Sequence, residues 1–327
     1  MSDDATADDV VTAAEIATHL ECPRKYEFDH ERPLSPPKTN RNRREEHRRK
    51  LLRDSIIAGL RLDTESPDER AETARERFAE LSGSSHSSVL VAEQARYDRE
   101  AVGAAIDAYF HGDGQEHGER LVAADVTLGY ERGGIRYETT VDAVTKTDRG
   151  HLAIEYRPTM QGILHVSWNK DDNVQDFIEE KKFYPQQIGS FVRAAIAICG
   201  LTAEYDLTRK HDFACISLLE NSRPAYETGD EIHVNPESRR FRSAYQDERD
   251  DLDKLVADRA AALLGDETDP RDWQFEEITD RSCSYCAYQN ACPDVLESEL
   301  SFTDRHRAAD ESPGQTLSHE SSSEESQ

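Results

Sequence analysis

Ile135-Arg-Tyr-Glu-Thr-Thr-Val-Asp-Ala-Val144 and His151-Leu-Ala-Ile-Glu-Tyr156 are the stretches on which the fold turns. Both are rich in apolar and β-branched residues. Gly133-Gly134 precedes the first as a hairpin turn, and Asp148-Arg-Gly150 separates the two. Together with Leu121 to Tyr130 they read as consecutive strands. Each of the last two carries one carboxylate among apolar neighbours, Asp142 between Val141 and Ala143, and Glu155 between Ile154 and Tyr156. Such acids need a partner. A shared divalent cation is one, because Mg2+ and Mn2+ prefer oxygen ligands and Mg2+ uses only one or two protein carboxylates. An ion pair with Arg is the other.

Working outward, Thr12-Ala-Ala-Glu15 is a capping box that opens a short helix from Ala13 to Leu20, and Pro23 stops it. A helix to about Leu60 follows, then helices over residues 65–81 and 89–110, joined by the linker Ser82-Gly-Ser-Ser-His-Ser-Ser88. Beyond the strands, Pro185 starts a helix through Gln187, Phe191 and Ile198. Phe213 to Leu219 reads as a further strand, and Glu237 to Leu264 as a mostly polar helix. The expected architecture is α/β, a mixed central sheet flanked by helices.

Cys283-Ser-Tyr-Cys286-Ala-Tyr-Gln-Asn-Ala-Cys292 supplies three thiols spaced C-x2-C-x5-C, and Cys22 in Glu21-Cys22-Pro23-Arg24 is the natural fourth. Four cysteines hold either zinc or an iron–sulfur cluster, and the spacing does not choose between them. A disulfide is the alternative, disfavoured by C-x-x-C in a chain without a secretory signal. Cys199 and Cys215 lie in apolar runs and read as core residues.

With 67 acidic against 40 basic residues the net charge is −27, spread along the chain. This is the surface expected of a protein kept soluble in a salty cytoplasm, so net charge says little about partners. No apolar run is long enough to span a membrane. Against that background Lys38 to Arg53 stands out, with eight cations and two acids. Arg41, Arg43, Arg44, Arg48 and Arg49 make its helix a candidate DNA-contact surface, with a solvated helix face as the alternative. His47, Leu51 and Ser55 share one face of that helix.

These features together resemble the RecB-like branch of the PD-(D/E)XK nucleases, and within it the iron–sulfur members, the CRISPR-associated exonucleases and the AddB-type nuclease domain. The resemblance spans about Thr12 to Pro293 and is most specific in the cysteines. It implies a restriction-endonuclease-like fold with a four-cysteine cluster joining its N- and C-terminal parts. It also implies Mg2+- or Mn2+-dependent DNA cleavage, with single-stranded DNA favoured, in repair or CRISPR-type defence and alongside proteins of those pathways. Residue by residue, it implies that His47, Asp142, Glu155 and the backbone oxygen of Tyr156 bind the metal. Gln187 matches the helical Gln-x3-Tyr element, with Phe191 in place of Tyr, and Cys22, Cys283, Cys286 and Cys292 match the ligands of a [4Fe–4S] centre. The family's catalytic Lys is Arg157 here. Arg stays charged and offers a rigid fork of donors, so it can steady a phosphate but cannot act as a base. Lys170, Lys181 and Lys182 are the candidates for a replacement ammonium. A nuclease fold that binds or assembles without cutting is the second expectation. Residues 1–11 are expected to be disordered, 12–302 to form one domain with a helical insertion at about 61–118, and 303–327 to be a disordered Ser/Glu-rich tail.

Overall fold

In the computed structural model, the described residues are 9–32, 34, 40–84, 92–163, 173–205, 208–220, 223–224 and 232–297. The chain enters through β1 (Asp9–Thr12), so the sheet begins inside the N-terminal stretch expected to be disordered. The capping box at Thr12 and Glu15 then starts α1 (Ala13–Glu21), with Cys22 at its end. Pro23 opens α2 (Pro23–Tyr26), which runs into a π-helical turn, Glu27–Glu31. Three long helices, α3 (Asn40–Leu60), α4 (Pro67–Ser84) and α5 (Ala92–Phe110), and the short α6 (Asp113–Glu119) precede the strands.

β2 (Leu121–Arg132) and β3 (Ile135–Lys146) form a hairpin whose turn residues Gly133 and Gly134 have φ of +64° and +82°. Only glycine enters that region without steric cost. β4 (His151–Arg157) pairs antiparallel with β3. The short α7 (Asn173–Ile178) and the long α8 (Pro185–Glu204) then cross to β5 (Asp212–Ser217), which is parallel to β4. After the two-stranded pair β6 (Arg223–Pro224) and β7 (Ile232–His233), β8 (Glu237–Arg240) closes the edge beside β5. The sheet order is β1-β3-β4-β5-β8, with β2 also on β3, so the mixed sheet flanked by helices is as expected. Glu237 to Leu264 is not one helix. Its first residues are drawn into the sheet as β8, and α9 (Arg242–Asp247) and α10 (Arg249–Leu264) follow. α11 (Phe275–Arg281) leads to the cysteine segment.

Strand alternation sends side chains to two cores. Ala153 joins the layer of α1, α8 and α10, whereas Leu152, Ile154 and Tyr156 join that of α3, α4 and α5. Cys215 is buried and Cys199 packs at the margin, 3.3 Å from the Tyr245 hydroxyl, as core thiols. The ladder between β3 and β4 covers only Ala143 to Lys146, while β1 pairs with the opposite half of β3, Ile135 to Glu138. Between these two pairings β3 is free of its β4 and β1 neighbours, and the candidate site lies there. No helix among the described residues is long and apolar enough to cross a membrane. The expected tail, 303–327, lies outside the described residues.

Candidate functional site

Asp142 and Glu155 are the first residues beyond the last β3–β4 pair, Ala143 with Ile154. Where the strands part, the Asp142 carboxylate takes over the role of a ladder acceptor, receiving the Tyr156 backbone N–H at 2.6 Å. Both acids are buried and open on one cavity of about 310 Å³, walled also by Arg49, Thr140 and Arg193.

Arginines are their partners. Glu155 accepts from Arg193 Nη1 at 2.8 Å on both oxygens, from Arg49 Nη2 at 2.5 Å and from Arg157 Nε at 3.0 Å. Arg53 Nε donates to Asp142 Oδ1 at 2.5 Å and its Nη2 to Asp125. Burial works against the charge on Glu155, yet Arg193, Arg157 and Arg49 hold its carboxyl well below the usual carboxylate range. Asp142 goes the other way. Burial raises it, and the neighbouring Glu155 charge adds to the rise against the opposing hydrogen bonds from Tyr156 and Arg53.

Other expected site residues are placed differently. His47 is half-buried on α3 but does not line this cavity; Arg49 and Arg53, one turn apart, form the face of α3 that meets the acids. The Tyr156 side chain is buried in the opposite core, bonded at 2.7 Å to the Tyr109 hydroxyl, so only its backbone belongs to the site. Gln187 is buried and lines neither this cavity nor its neighbour. Phe191 packs edge-on against Phe241 within the core, where a tyrosine hydroxyl would lack water. Lys181 pairs with Glu179, and Lys182 with Asp176 at 2.8 Å; Lys170 lies outside the described residues. Arg48 is 3.7 Å from Asp98, and the side chains of Arg41, Arg43 and Arg44 lie outside the described ones. Arg193 was not singled out from the sequence, and Arg53 only as the last cation of the basic helix. A lone Arg within the apolar run Ile188 to Leu201 was the available signal for Arg193, since a buried charge requires a counter-charge.

At the C-terminal end of α1, Cys22, Cys283 and Cys292 line one small cavity of about 20 Å³. Burial pushes the Cys22 thiol up to about 12, with Cys283 and Cys286 adding to the rise, and the Cys283 thiol to about 11. Arg24 Nε donates to Asp294 at 2.8 Å across the same junction. Among the described residues no three His, Cys, Asp or Glu side chains converge closely enough to hold a metal ion, at either place. The thiols fit a thiolate-bound centre in chemical type, and the carboxylates fit Mg2+ or Mn2+ as oxygen donors, but guanidinium groups occupy the carboxylate oxygens. The chain matches no protein-family model and no curated protein.

Proposed function

We propose that this chain is a DNA-cleaving enzyme of the PD-(D/E)XK type. The observation that supports this best is the pair Asp142 and Glu155, presented by neighbouring strands at the point where they part and opening on one cavity with Arg49 and Arg193. Asp142, Glu155 and the Tyr156 backbone oxygen would hold Mg2+ or Mn2+, which polarises a phosphate and lowers the pKa of an attacking water. The chain's own contribution is electrostatic. Four guanidinium groups surround two carboxylates, so the cleft attracts a phosphodiester despite the acidic surface. Arg49, at 44% the most exposed of the four, exchanges Glu155 for the arriving phosphate and frees a carboxylate oxygen. Cys22, Cys283, Cys286 and Cys292 carry an iron–sulfur cluster that ties the two ends of the domain together. Single-stranded DNA with Mn2+ is the assay. Degradation by the wild type and none by Glu155→Ala or Asp142→Ala is expected, and equal activity in all three removes these acids from catalysis.

The same guanidinium groups favour a second reading, a nuclease-fold module that binds DNA without cutting it. Arg157 stands where the related enzymes carry Lys, and Glu155 is fully engaged by arginines. DNA binding that persists with no cleavage at any Mn2+ concentration selects it. Protein purified without oxygen is expected to be brown and to contain iron. A colourless, zinc-containing protein with the same fold would replace the cluster by zinc.

A further inference from the structure

We propose that a second cavity, on the far side of Arg193 from the paired acids, binds the terminal phosphomonoester of a DNA strand. This rests on the reading of the first cavity as a DNA-processing site and adds to it the form of substrate end that is recognised.

The second cavity measures about 190 Å³ and shares only Arg193 with the first. Arg157 lines it and does not line the cavity of the acids. The residue standing in the position of a catalytic Lys therefore presents its guanidinium to a different compartment. Each arginine spends one nitrogen on Glu155, Nε of Arg157 and Nη1 of Arg193. Among the described residues the remaining guanidinium nitrogens have no hydrogen-bond partner. Glu155 thus fixes two cationic forks from behind, which is the pre-organisation that a tetrahedral dianion rewards. A lysine has a single nitrogen, so it could not be held this way and still aim further nitrogens at a ligand in one fixed plane.

The remaining walls are neutral donors and a tight turn. Gln161 and Gln186 are exposed at the rim, and their side-chain amides have no partner among the described residues. The turn that carries Gln161 is closed by Ile163 N–H donating to the Met160 carbonyl at 2.8 Å, with Gly162 at φ +84°. A Cβ on Gly162 would lie 3.2 Å from Gln186 Oε1, so glycine there both allows the turn and leaves room for the Gln186 side chain. Met160 N–H is itself held by Glu220 at 2.6 Å, and β5 anchors the strand end through Leu218 N–H to the Arg157 carbonyl at 2.9 Å. Among the described residues Glu21 is the only carboxylate lining the cavity, and Lys25 is its ion-pair partner. A cavity of this size lies below the usual range of about 300–1,000 Å³ for larger ligands and suits a phosphate with its sugar. Since Arg193 forms the shared wall, a strand whose terminal phosphate sits here runs on into the cavity of Asp142 and Glu155.

The test is equilibrium binding of short fluorescent single strands in EDTA, carrying a 5′-phosphate, a 3′-phosphate or hydroxyls at both ends. One phosphorylated form is expected to bind about tenfold more tightly than the hydroxyl-ended strand, the gain of one charge-assisted hydrogen bond. Gln161→Glu and Gln186→Glu, both at exposed positions, are expected to abolish that preference while leaving the affinity for hydroxyl-ended strands unchanged. Equal binding of all three strands overturns the proposal, as does a preference that survives in both variants. Inorganic phosphate or a deoxynucleoside monophosphate binding as tightly as the phosphorylated strand would assign the cavity to a free nucleotide instead. Because EDTA removes the cation, failure to cleave DNA with Mn2+ sinks the hydrolytic reading alone. Cleavage that ignores the end group, with no binding preference, sinks only this one.

Discussion

At the scale of single residues, Asp142 and Glu155 are alike in burial and opposite in electrostatics, and their neutral variants separate them. Glu155→Gln leaves three guanidinium groups without their counter-charge and is expected to destabilise by about 3–5 kcal/mol, as breaking a buried ion pair does. Asp142→Asn keeps an acceptor for the Tyr156 N–H and relieves a carboxylate whose charged form burial already disfavours, so a cost of about 1 kcal/mol or less is expected. Urea midpoints of the two variants check the order. The pH dependence has a definite sign. A carboxyl held below its ordinary range contributes stability above its unfolded pKa and loses it as pH falls, so Glu155→Gln should flatten the acid limb below about pH 4. Asp125, at φ +58° on β2 and bonded to Arg53 and Arg61, is a strained non-glycine residue beside this cluster. Nothing in its sequence neighbourhood announces that conformation.

At the scale of elements, α3 owes its aim to its far end. Arg70, 2% exposed, donates through Nη1 to the carbonyls of Gly59, Leu60 and Leu62 at 3.1, 2.9 and 2.7 Å, and through Nη2 to Thr64 at 2.5 Å. It caps the C-terminus of α3 from the next helix, satisfying carbonyls the helix cannot. Arg70→Met should cost about 3 kcal/mol or more in thermal unfolding. On the proposed DNA-binding reading it should also weaken that binding, because Arg49 and Arg53 ride on the same helix. On the other layer, α8 meets β2 at Gly200, where a Cβ would lie 2.9 Å from Gly129 N and 2.9 Å from Leu128 Cβ. Gly200→Val is therefore expected to push α8 from the sheet and lower the melting temperature by several degrees, as about 1–3 kcal/mol of overpacking does. The strands, the capping box at Thr12 and the Pro185 helix start were legible as local patterns. β1 and β8 were not, because edge strands of only four residues are too short to show a periodicity and are defined by the neighbour that pairs with them.

At the scale of the whole molecule, the N- and C-terminal parts of the described residues are joined. Arg24 reaches Asp294, Tyr288 donates to Asp29, the rings of Phe28 and Tyr288 meet at a tilt of 55° with centroids 5.2 Å apart, and His19 Nε2 lies 2.9 Å from the Glu267 carbonyl. Burial lowers His19 from 6.5 to about 4, and His117 likewise from 6.5 to about 4. A buried neutral histidine binds its proton more readily when unfolded, so stability falls as pH drops from 6.5 towards 4. Melting temperatures at pH 7 and pH 5 should differ, and His117→Gln should narrow the difference. On the proposed iron–sulfur reading, Cys22→Ala is expected to abolish iron binding and lower the melting temperature, with Cys215→Ala retaining the iron; metal analysis and calorimetry decide it.

The sequence by itself determined the hairpin, the strand-borne acids and the helix starts, since each follows from side-chain periodicity, glycine conformation or capping within a few residues. It also placed four chemically equivalent thiols at the chain's two ends. Only the tertiary structure decided what the acids touch. Asp142 and Glu155 lie opposite each other because β3 and β4 part after one short ladder, and the arginines that engage them come from α3, β4 and α8, far apart in the chain. A buried charge takes whichever counter-charge the packing delivers, and packing is a property of elements brought together, which no local pattern records.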